Sequence, residues 1–224
     1  MDLFANGTFF HCHIAQQELT RFSSFHSQTE SFWREQEEKL HKDYERKIHD
    51  SPENSHEEVF HKYVWEQYQT LTPEFHRESL LISLYNFLEN QMNTLCEKLA
   101  VSVDSRIELK DLNGKGVERA KLYLTKMVGI DFNRFGEEWG YIQDINKLRN
   151  CIVHNGGKIS SAPNNKLHEV IRKNSKLTKT ETGYLSVGSD LIDDFIATLL
   201  KFFEKMEAEV ERYGAIKSAG DSSE

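Results

Sequence analysis

An apolar stripe with helical spacing, in a chain with only three prolines, is the sequence feature that most constrains the fold. Its residues recur at steps of three and four positions, which places them on one face of an α-helix. They are Leu81, Leu84, Leu88, Met92, Leu95 and Leu99. Thr72 and Pro73 form a helix start ahead of the stripe, since threonine is a good N-cap and proline is tolerated in the first turn. The pattern predicts a long core helix over residues 73–100.

Further helices are predicted on both sides of this core helix. Residues 14–49 contain neither proline nor glycine, and residues 55–69 form a second charged stretch. Apolar residues at helical spacing predict three more helices, over residues 117–128, 136–155 and 191–212. Helical signals therefore dominate, and the predicted fold class is all-α, a helical bundle.

Less regular segments separate the helices. We expect loops at 111–116 and 160–165, which are rich in Gly, Ser, Asn, Asp and Pro. Residues 178–187 predict a small β-hairpin around Thr182-Gly183, inserted before the C-terminal helix. Residues 214–224 are mostly small or polar, and we expect a frayed, disordered tail there.

The composition excludes several classes of protein. The chain has 224 residues, of which 38% are hydrophobic and 29% charged, and this excludes wholesale disorder and collagen-like repeats. No apolar stretch approaches the ~20 residues of a membrane-spanning helix. Cys12, Cys96 and Cys151 are an odd number at wide spacing, so we expect free thiols in a reducing compartment. With no basic secretory leader, the sequence predicts a cytoplasmic protein.

Charge is unevenly distributed along the chain. The formal net charge is −8, and residues 1–70 carry thirteen acidic and seven basic residues. We interpret 1–70 as a charged helical extension that adds contacts but no chemistry, ahead of a helical domain at 71–213. The segment 158–180 instead holds six bases and one acid. The bases are Lys158, Lys166, Arg172, Lys173, Lys176 and Lys179. They suit phosphate binding, although a solvated loop explains the composition equally well.

The histidine-rich segments lack the spacing of a metal site. His56 and His61 are five positions apart, which separates their side chains by ~140° around a helix, whereas zinc-binding helices use four-residue spacing. His11 and His13 flank Cys12, and no second ligand pair is spaced to complete a site. The sequence also contains no phosphate-binding glycine loop, no CxxC and no GxSxG. We expect no metal site and no cofactor.

One motif indicates a specific chemistry. Arg149, Asn150 and His154 lie on the last turns of the helix predicted at 136–155, ahead of two glycines. This arrangement resembles the Arg-x4–6-His motif of the HEPN domain family (higher eukaryotes and prokaryotes nucleotide-binding), in which a polar residue commonly follows the arginine. The helix order is also similar to that family over about residues 73–210.

The residue types suit RNA cleavage without a metal ion. Histidine titrates near neutral pH and can take up the proton of a 2′-OH. Arginine stays charged and presents a planar fork that matches phosphate oxygens. On one helix Asn150 and His154 are separated by ~40°, whereas Arg149 and His154 are separated by ~140°. Asn150 and His154 therefore share a face that Arg149 does not.

The resemblance implies how this offset is resolved. Many HEPN members are ribonucleases whose motif helices meet in a dimer and form a composite cleft. It implies that His154 is the base, Arg149 the phosphate clamp and Asn150 an orienting residue, in a toxin or defence effector that leaves a 2′,3′-cyclic phosphate. The expected partners are RNA, a second copy, and an antitoxin or regulator. The residues expected to bind RNA beside the motif are Lys158, Lys166, Arg172, Lys173 and Lys176. A two-fold interface built partly from residues 137–155 is expected, since Cys151 and Val153 lie off the apolar stripe.

Alternatives remain open at the level of sequence. The same motif fits a non-catalytic HEPN-like module that binds nucleotide or RNA, or a dimeric scaffold. A helical interaction protein with residues 1–70 as a binding arm is a third interpretation. In the plainest interpretation, Arg149 and Asn150 are surface residues. His154 then only caps the carboxyl terminus of the helix, where a cation is favourable. Gly156 stands where one toxin branch has tyrosine, so pairing with a nucleotidyltransferase antitoxin is not predicted.

Overall fold

The computed structural model describes residues 7–103, 107–162 and 166–221. Within these ranges the chain forms seven α-helices and one two-stranded sheet. The helices are α1 Thr8–Asp50, α2 His56–Thr70, α3 Pro73–Ala100, α4 Gly116–Tyr123, α5 Gly136–Asn155, α6 Lys166–Lys173 and α7 Ser189–Asp221. The strands are β1 Leu177–Lys179 and β2 Leu185–Val187. The predicted all-α fold with a small hairpin before the last helix is confirmed.

The hairpin is antiparallel and pairs Leu177 with Val187. Its turn is closed by the amide of Gly183, which donates to the carbonyl oxygen of Thr180 over 2.9 Å. Gly183 has a φ of 89°, a left-handed conformation that a side chain would disfavour. The predicted turn at Thr182-Gly183 is therefore confirmed, although each strand has only three residues.

The core helix forms as predicted. All six residues of the apolar stripe on α3 are buried, none more than 1% exposed. Thr72 precedes the helix, but its side chain makes no capping hydrogen bond, and Pro73 is the first helical residue. Four aromatic side chains of α5, α7 and the turn before α5 pack beside the stripe, with ring centroids 5.0–6.2 Å apart. They are Phe132, Phe135, Trp139 and Phe202.

Several element boundaries differ from the expectations. α1 begins at Thr8, six residues before the predicted start, directly after Gly7 with a φ of 70°. α7 continues to Asp221, because helical hydrogen bonding does not need the apolar periodicity on which the predicted end at 212 depends. Residues 214–221 are thus helical where a frayed tail was expected, and 222–224 lie outside the described residues. α6 is an unpredicted helix, and the last three residues of the 160–165 loop are not described.

The predicted extension divides into two parts. Cys12, Ala15 and Leu19 of α1 are buried in the same core as α3, α5 and α7, so the first part shares the hydrophobic core of residues 71–213. Its first six residues lie outside the described chain. Among the side chains that the structure describes between 31 and 70, none is buried. This second part of α1 packs with α2 as a helical hairpin, for example through Tyr44 and Tyr63, whose rings stack at 4.4 Å.

Over the described ranges, no helix combines the length and the apolar character needed to cross a membrane.

Candidate functional site

The motif lies on the last two turns of α5, which is fixed to the bundle by its apolar face. Five residues of that face are buried, as predicted: Trp139, Ile142, Ile145, Leu148 and Ile152. On the first turn of α5, the buried Glu138 carboxylate accepts hydrogen bonds of 2.7 and 2.8 Å from Lys205 of α7. The motif helix is therefore held by its buried apolar face along its length and by the Lys205–Glu138 ion pair at its first turn.

A glycine turn ends α5 directly after the motif. Gly156 has a φ of 57°, and the amide of Gly157 donates to the carbonyl oxygen of Cys151 over 3.1 Å. Bonds of this kind satisfy carbonyl groups that a helix end leaves free. α5 is regular up to Asn155, so the helix does not end early, and the backbone keeps Arg149 and His154 about 140° apart.

Asn150 and His154 are both exposed and lie one turn apart. The Asn150 amide nitrogen is 3.3 Å from the Asn146 side-chain oxygen, one turn earlier. His154 makes no hydrogen bond or ion pair with other residues that the structure describes. Its imidazole is therefore open to a ligand from solvent. The shared face of Asn150 and His154 agrees with the geometry expected from their spacing.

Arg149 reaches towards this face although its backbone position points away from it. Its Nη1 donates to the Asn150 Oδ1 over 3.2 Å, and its Cζ lies 5.9 Å from the Tyr85 ring centroid. Its Nε is buried and has no hydrogen-bond partner. In the described part of the chain, no carboxylate is within ion-pair distance of the guanidinium. The charge of Arg149 is thus oriented but not neutralised by an ion pair.

Acidic residues lie on the Tyr85 side of Arg149. Burial raises the pKa of the Tyr85 hydroxyl, and the nearby charges of Glu89 and Glu118 raise it further. Glu118 also accepts a hydrogen bond of 3.0 Å from Gln143 of α5. An anion approaching Arg149 from the Tyr85 side therefore meets repulsion from these carboxylates.

Cys151 does not contribute to the exposed face. It is only 4% exposed, and its thiol lies 3.5 Å from the carbonyl oxygen of Lys158. Burial raises the pKa of this thiol, and the charge of Glu78 acts in the same direction. The expectation that Cys151 adds to a dimer interface is therefore wrong, because the chain after Gly157 folds back over it. Val153 remains exposed, at 45%.

Four of the five basic residues proposed to bind RNA are exposed. They are Lys158, Lys166, Arg172 and Lys173. Lys176 differs, because its Nζ lies 2.5 Å from the Asp194 carboxylate of α7. This hydrogen bond raises the pKa of Lys176. Lys176 is therefore already paired, and Lys158, whose amide donates to the Asn155 carbonyl oxygen over 3.1 Å, is the cation next to the motif along the chain.

The histidines of the two histidine-rich segments contact other protein groups. His11 is buried, and its Nε2 lies 2.9 Å from the carbonyl oxygen of Gln91. His13 is exposed and contacts Gln17 over 3.1 Å. His56 bonds to the Ser51 carbonyl oxygen over 3.2 Å, while His61 stays on the surface.

A different cluster of metal-binding residue types lies between α1 and α3, although the sequence spacing predicts no metal site. The side-chain ligand atoms of His26, Glu30 and His76 lie within 4.8 Å of one another. The four-residue spacing of His26 and Glu30 on α1 is a sequence signal for one half of this cluster. The other half comes from α3, and only the fold reveals that it is adjacent.

Two cavities lie away from the motif. One of about 820 Å³ is lined by Phe32, Trp33 and Leu71, at the base of the helical hairpin. Another of about 570 Å³ lies between α3 and α4, beside Cys96 and Arg119. Neither is lined by motif residues.

Comparison with protein-family models, curated proteins and solved structures finds no match for this chain. Its function must therefore be argued from the motif and the geometry described above.

Proposed function

We propose that the protein is a metal-independent endoribonuclease of the HEPN type. The observation that carries the proposal is the hydrogen bond of 3.2 Å between the Arg149 Nη1 and the Asn150 Oδ1. It holds an arginine without an ion-pair partner against the exposed face on which His154 lies one turn further on. An arginine–amide pair is thus held one turn before an exposed imidazole.

These groups have complementary roles in the proposed reaction. His154 accepts the proton of the ribose 2′-OH while the 2′ oxygen bonds to phosphorus. Arg149 offsets the charge that develops on the phosphate oxygens. The bond from phosphorus to the 5′ oxygen breaks, and that oxygen takes up a proton. The products are a 2′,3′-cyclic phosphate and a free 5′-OH.

The proposal includes a homodimer with composite clefts. The ~140° offset between Arg149 and His154 leaves them poorly placed to act on one phosphate within one chain. A two-fold axis beside α5 would bring Arg149 of one copy next to His154 of the other. The exposed apolar side chain of Val153, on the same turn as Asn150 and His154, supports contact between copies at this place.

Exposed cations extend the proposed RNA site beyond the motif. Lys158, Lys166, Arg172 and Lys173 would bind backbone phosphates, whereas Lys176 is already paired and would contribute least. We place the enzyme in the cytoplasm. Its RNA substrate is found there, and its three buried free thiols would stay reduced there. A toxin or defence role would further require an antitoxin or regulator as partner.

A second candidate function is a non-catalytic HEPN-like module that binds RNA or nucleotide, or a dimeric scaffold. The acidic residues on the Tyr85 side of Arg149, Glu89 and Glu118, favour it, because they oppose a polyanion there. Under this hypothesis, neither the parent protein nor a His154 variant cleaves RNA.

A cleavage assay separates the two functions. With mixed single-stranded RNAs and excess EDTA, His154→Ala should lose about 10²–10⁴ in rate, the usual contribution of positioned acid–base catalysis. His61→Ala is the matched control, since it removes an exposed histidine from a different helix, α2. DNA should remain intact because it lacks the 2′-OH. No cleavage of any RNA by the parent protein, or full activity of His154→Ala, would reject the catalytic proposal.

A further inference from the structure

Three side chains suited to a metal ion meet between α1 and α3. His26 and Glu30 are one turn apart on α1, and His76 lies on the first turn of α3. The His26 Nδ1 and the His76 Nε2 are 3.3 Å apart. In a tetrahedral zinc site with Zn–N bonds of ~2.0–2.1 Å, two ligand nitrogens are also about 3.3 Å apart. The two imidazoles therefore already have the separation of an edge of a zinc tetrahedron.

The surroundings of His26 suit metal binding through one ring nitrogen. Its Nε2 lies 3.3 Å from the backbone carbonyl oxygen of Ser189 and 3.2 Å from the Ser189 hydroxyl, at the start of α7. Both oxygens can accept a hydrogen from Nε2, and in that tautomer the Nδ1 lone pair is on the side of His76. Asp193 is 3.9 Å from the same Nε2. Metal-bound histidines usually have such support, a carbonyl or carboxylate behind the ring.

Glu30 supplies the third donor. Its two oxygens accept hydrogen bonds of 2.8 Å each from Arg77, which orients the carboxylate. Each oxygen keeps a second lone pair, so a metal bond is compatible with the Arg77 contact. His26 and Glu30 are buried, whereas His76 is partly exposed. The ion and a water ligand would therefore reach the site from the His76 side.

We propose that His26, Glu30 and His76 bind one zinc ion that links α1 to α3. Two neutral imidazoles and one carboxylate, with a water in the fourth position, are a donor set that zinc uses in proteins. Nitrogen donors argue against Mg²⁺ and Ca²⁺, which prefer all-oxygen ligands. The site lies where α1 leaves the core, between Leu19, which is buried, and the exposed helical hairpin. The ion would hold this part of α1 on the first turn of α3 and, through Ser189, beside α7.

A zinc titration of the full chain tests the proposal. Chelator-treated protein is titrated with zinc chloride against a chromophoric competitor. The parent protein should bind one equivalent at high affinity. His76→Ala should weaken this binding by more than the ~10–100-fold that loss of an outer-shell partner costs. His61→Ala is the matched control, because His61 and Glu57 form an exposed i,i+4 pair on α2 at 3.7 Å.

Two further measurements keep the result independent of misfolding. Zinc should raise the melting temperature of the parent and of His61→Ala, but not that of His76→Ala, since a ligand stabilises only the state that binds it. Cobalt(II) in place of zinc should give the visible absorption of a four-coordinate site. Absence of saturable binding, or equal binding by parent and His76→Ala, would overturn the proposal. None of these readouts uses RNA cleavage, so they test the metal site separately from the proposed ribonuclease.

Discussion

At the scale of single residues, the position of Arg149 determines what the motif can do. Two different contacts hold its guanidinium, a hydrogen bond to Asn150 and the face of the Tyr85 ring. The first is directional, whereas the second requires only a cation within about 6 Å of the ring. The Nε is buried and has no hydrogen-bond partner among the described residues, so it stabilises neither contact. With no ion-pair partner in the described part of the chain, the guanidinium charge remains available to an anion.

Substitutions of Arg149 should separate charge from geometry. Arg149→Ala is expected to lower both RNA affinity and cleavage rate, since a charged phosphate contact is lost. Arg149→Lys keeps the charge but not the planar fork, so affinity should recover more than the rate. Single-turnover cleavage and a binding titration of each variant in the same buffer provide the check. Asn150→Ala should cost less than Arg149→Ala in both. Equal rates for the lysine variant and the parent would show that the fork is not needed.

His11 predicts a pH dependence of stability. Burial lowers its pKa, which the bond to the Gln91 carbonyl only partly offsets, and the charge of Lys98 lowers it further. The unfolded state therefore binds the proton more readily than the folded state. The free energy of unfolding should consequently fall as the pH drops below about 6.5, the pKa of an unperturbed histidine. The contribution of His11 is fully present above that pH.

His11→Gln isolates this effect because the amide of glutamine can still donate to Gln91 without titrating. Urea unfolding at pH 7.5 and pH 5.5 should show a smaller loss of stability for His11→Gln than for the parent. His13→Gln, at an exposed neighbouring position, should behave as the parent does. A parent-like pH dependence in His11→Gln would exclude His11 as the source.

At the scale of secondary-structure elements, periodicity alone predicted the core helices well. The stripe on α3 and the apolar face of α5 are buried at every predicted position. Each of these helices packs one apolar face on the bundle, so the sequence period of 3.6 reports the packing directly. The sequence pattern does not predict α6, because this helix has only eight residues, about two turns, and four of them are basic or histidine. Short helices of this kind depend on tertiary contacts, here the burial of Leu167 and Val170.

The candidate site was predictable only in part, for a related reason. The spacing of Asn150 and His154 within one helix defines their shared face from sequence alone. The turn of Arg149 towards Asn150 and the burial of Cys151 depend on side-chain conformation and on the returning chain at Lys158. The His26–His76 contact joins positions fifty residues apart, a separation at which sequence spacing carries no information.

A glycine inside α5 and the glycine directly after it predict opposite effects on stability. Gly156 ends the helix with a φ of 57°, where alanine would be strained by about 1–2 kcal/mol. Gly140 lies inside the helix, and a Cβ there would meet nothing within 4 Å. Gly140→Ala should therefore stabilise by roughly 0.5–1 kcal/mol, since glycine is a poor helix former. Denaturant titrations of both variants test this pair, and a stabilising Gly156→Ala would contradict the left-handed turn.

At the scale of the whole molecule, the proposed activity requires a second copy of the chain. An interface on the exposed face of α5 would bury Val153 twice, once from each copy, close to the two-fold axis. Val153→Glu would place two like charges there, a juxtaposition that costs several kcal/mol at an interface. We expect the parent to sediment as a dimer at micromolar concentration and the variant as a monomer with little cleavage activity. Ile216→Glu, at an exposed position of α7, should leave both properties unchanged. A monomeric parent protein would exclude the interface.

A mixing experiment tests whether the clefts are composite. Arg149→Ala and His154→Ala should each be nearly inactive alone, since every cleft of either homodimer lacks one group. A mixed dimer contains one cleft with both groups, the arginine from the His154→Ala copy and the histidine from the Arg149→Ala copy. Its other cleft lacks both. Random exchange makes about half of the dimers mixed, so activity should recover to about a quarter of the parent value. If Arg149 and His154 act within one chain, every cleft in the mixture stays incomplete, and mixing restores nothing.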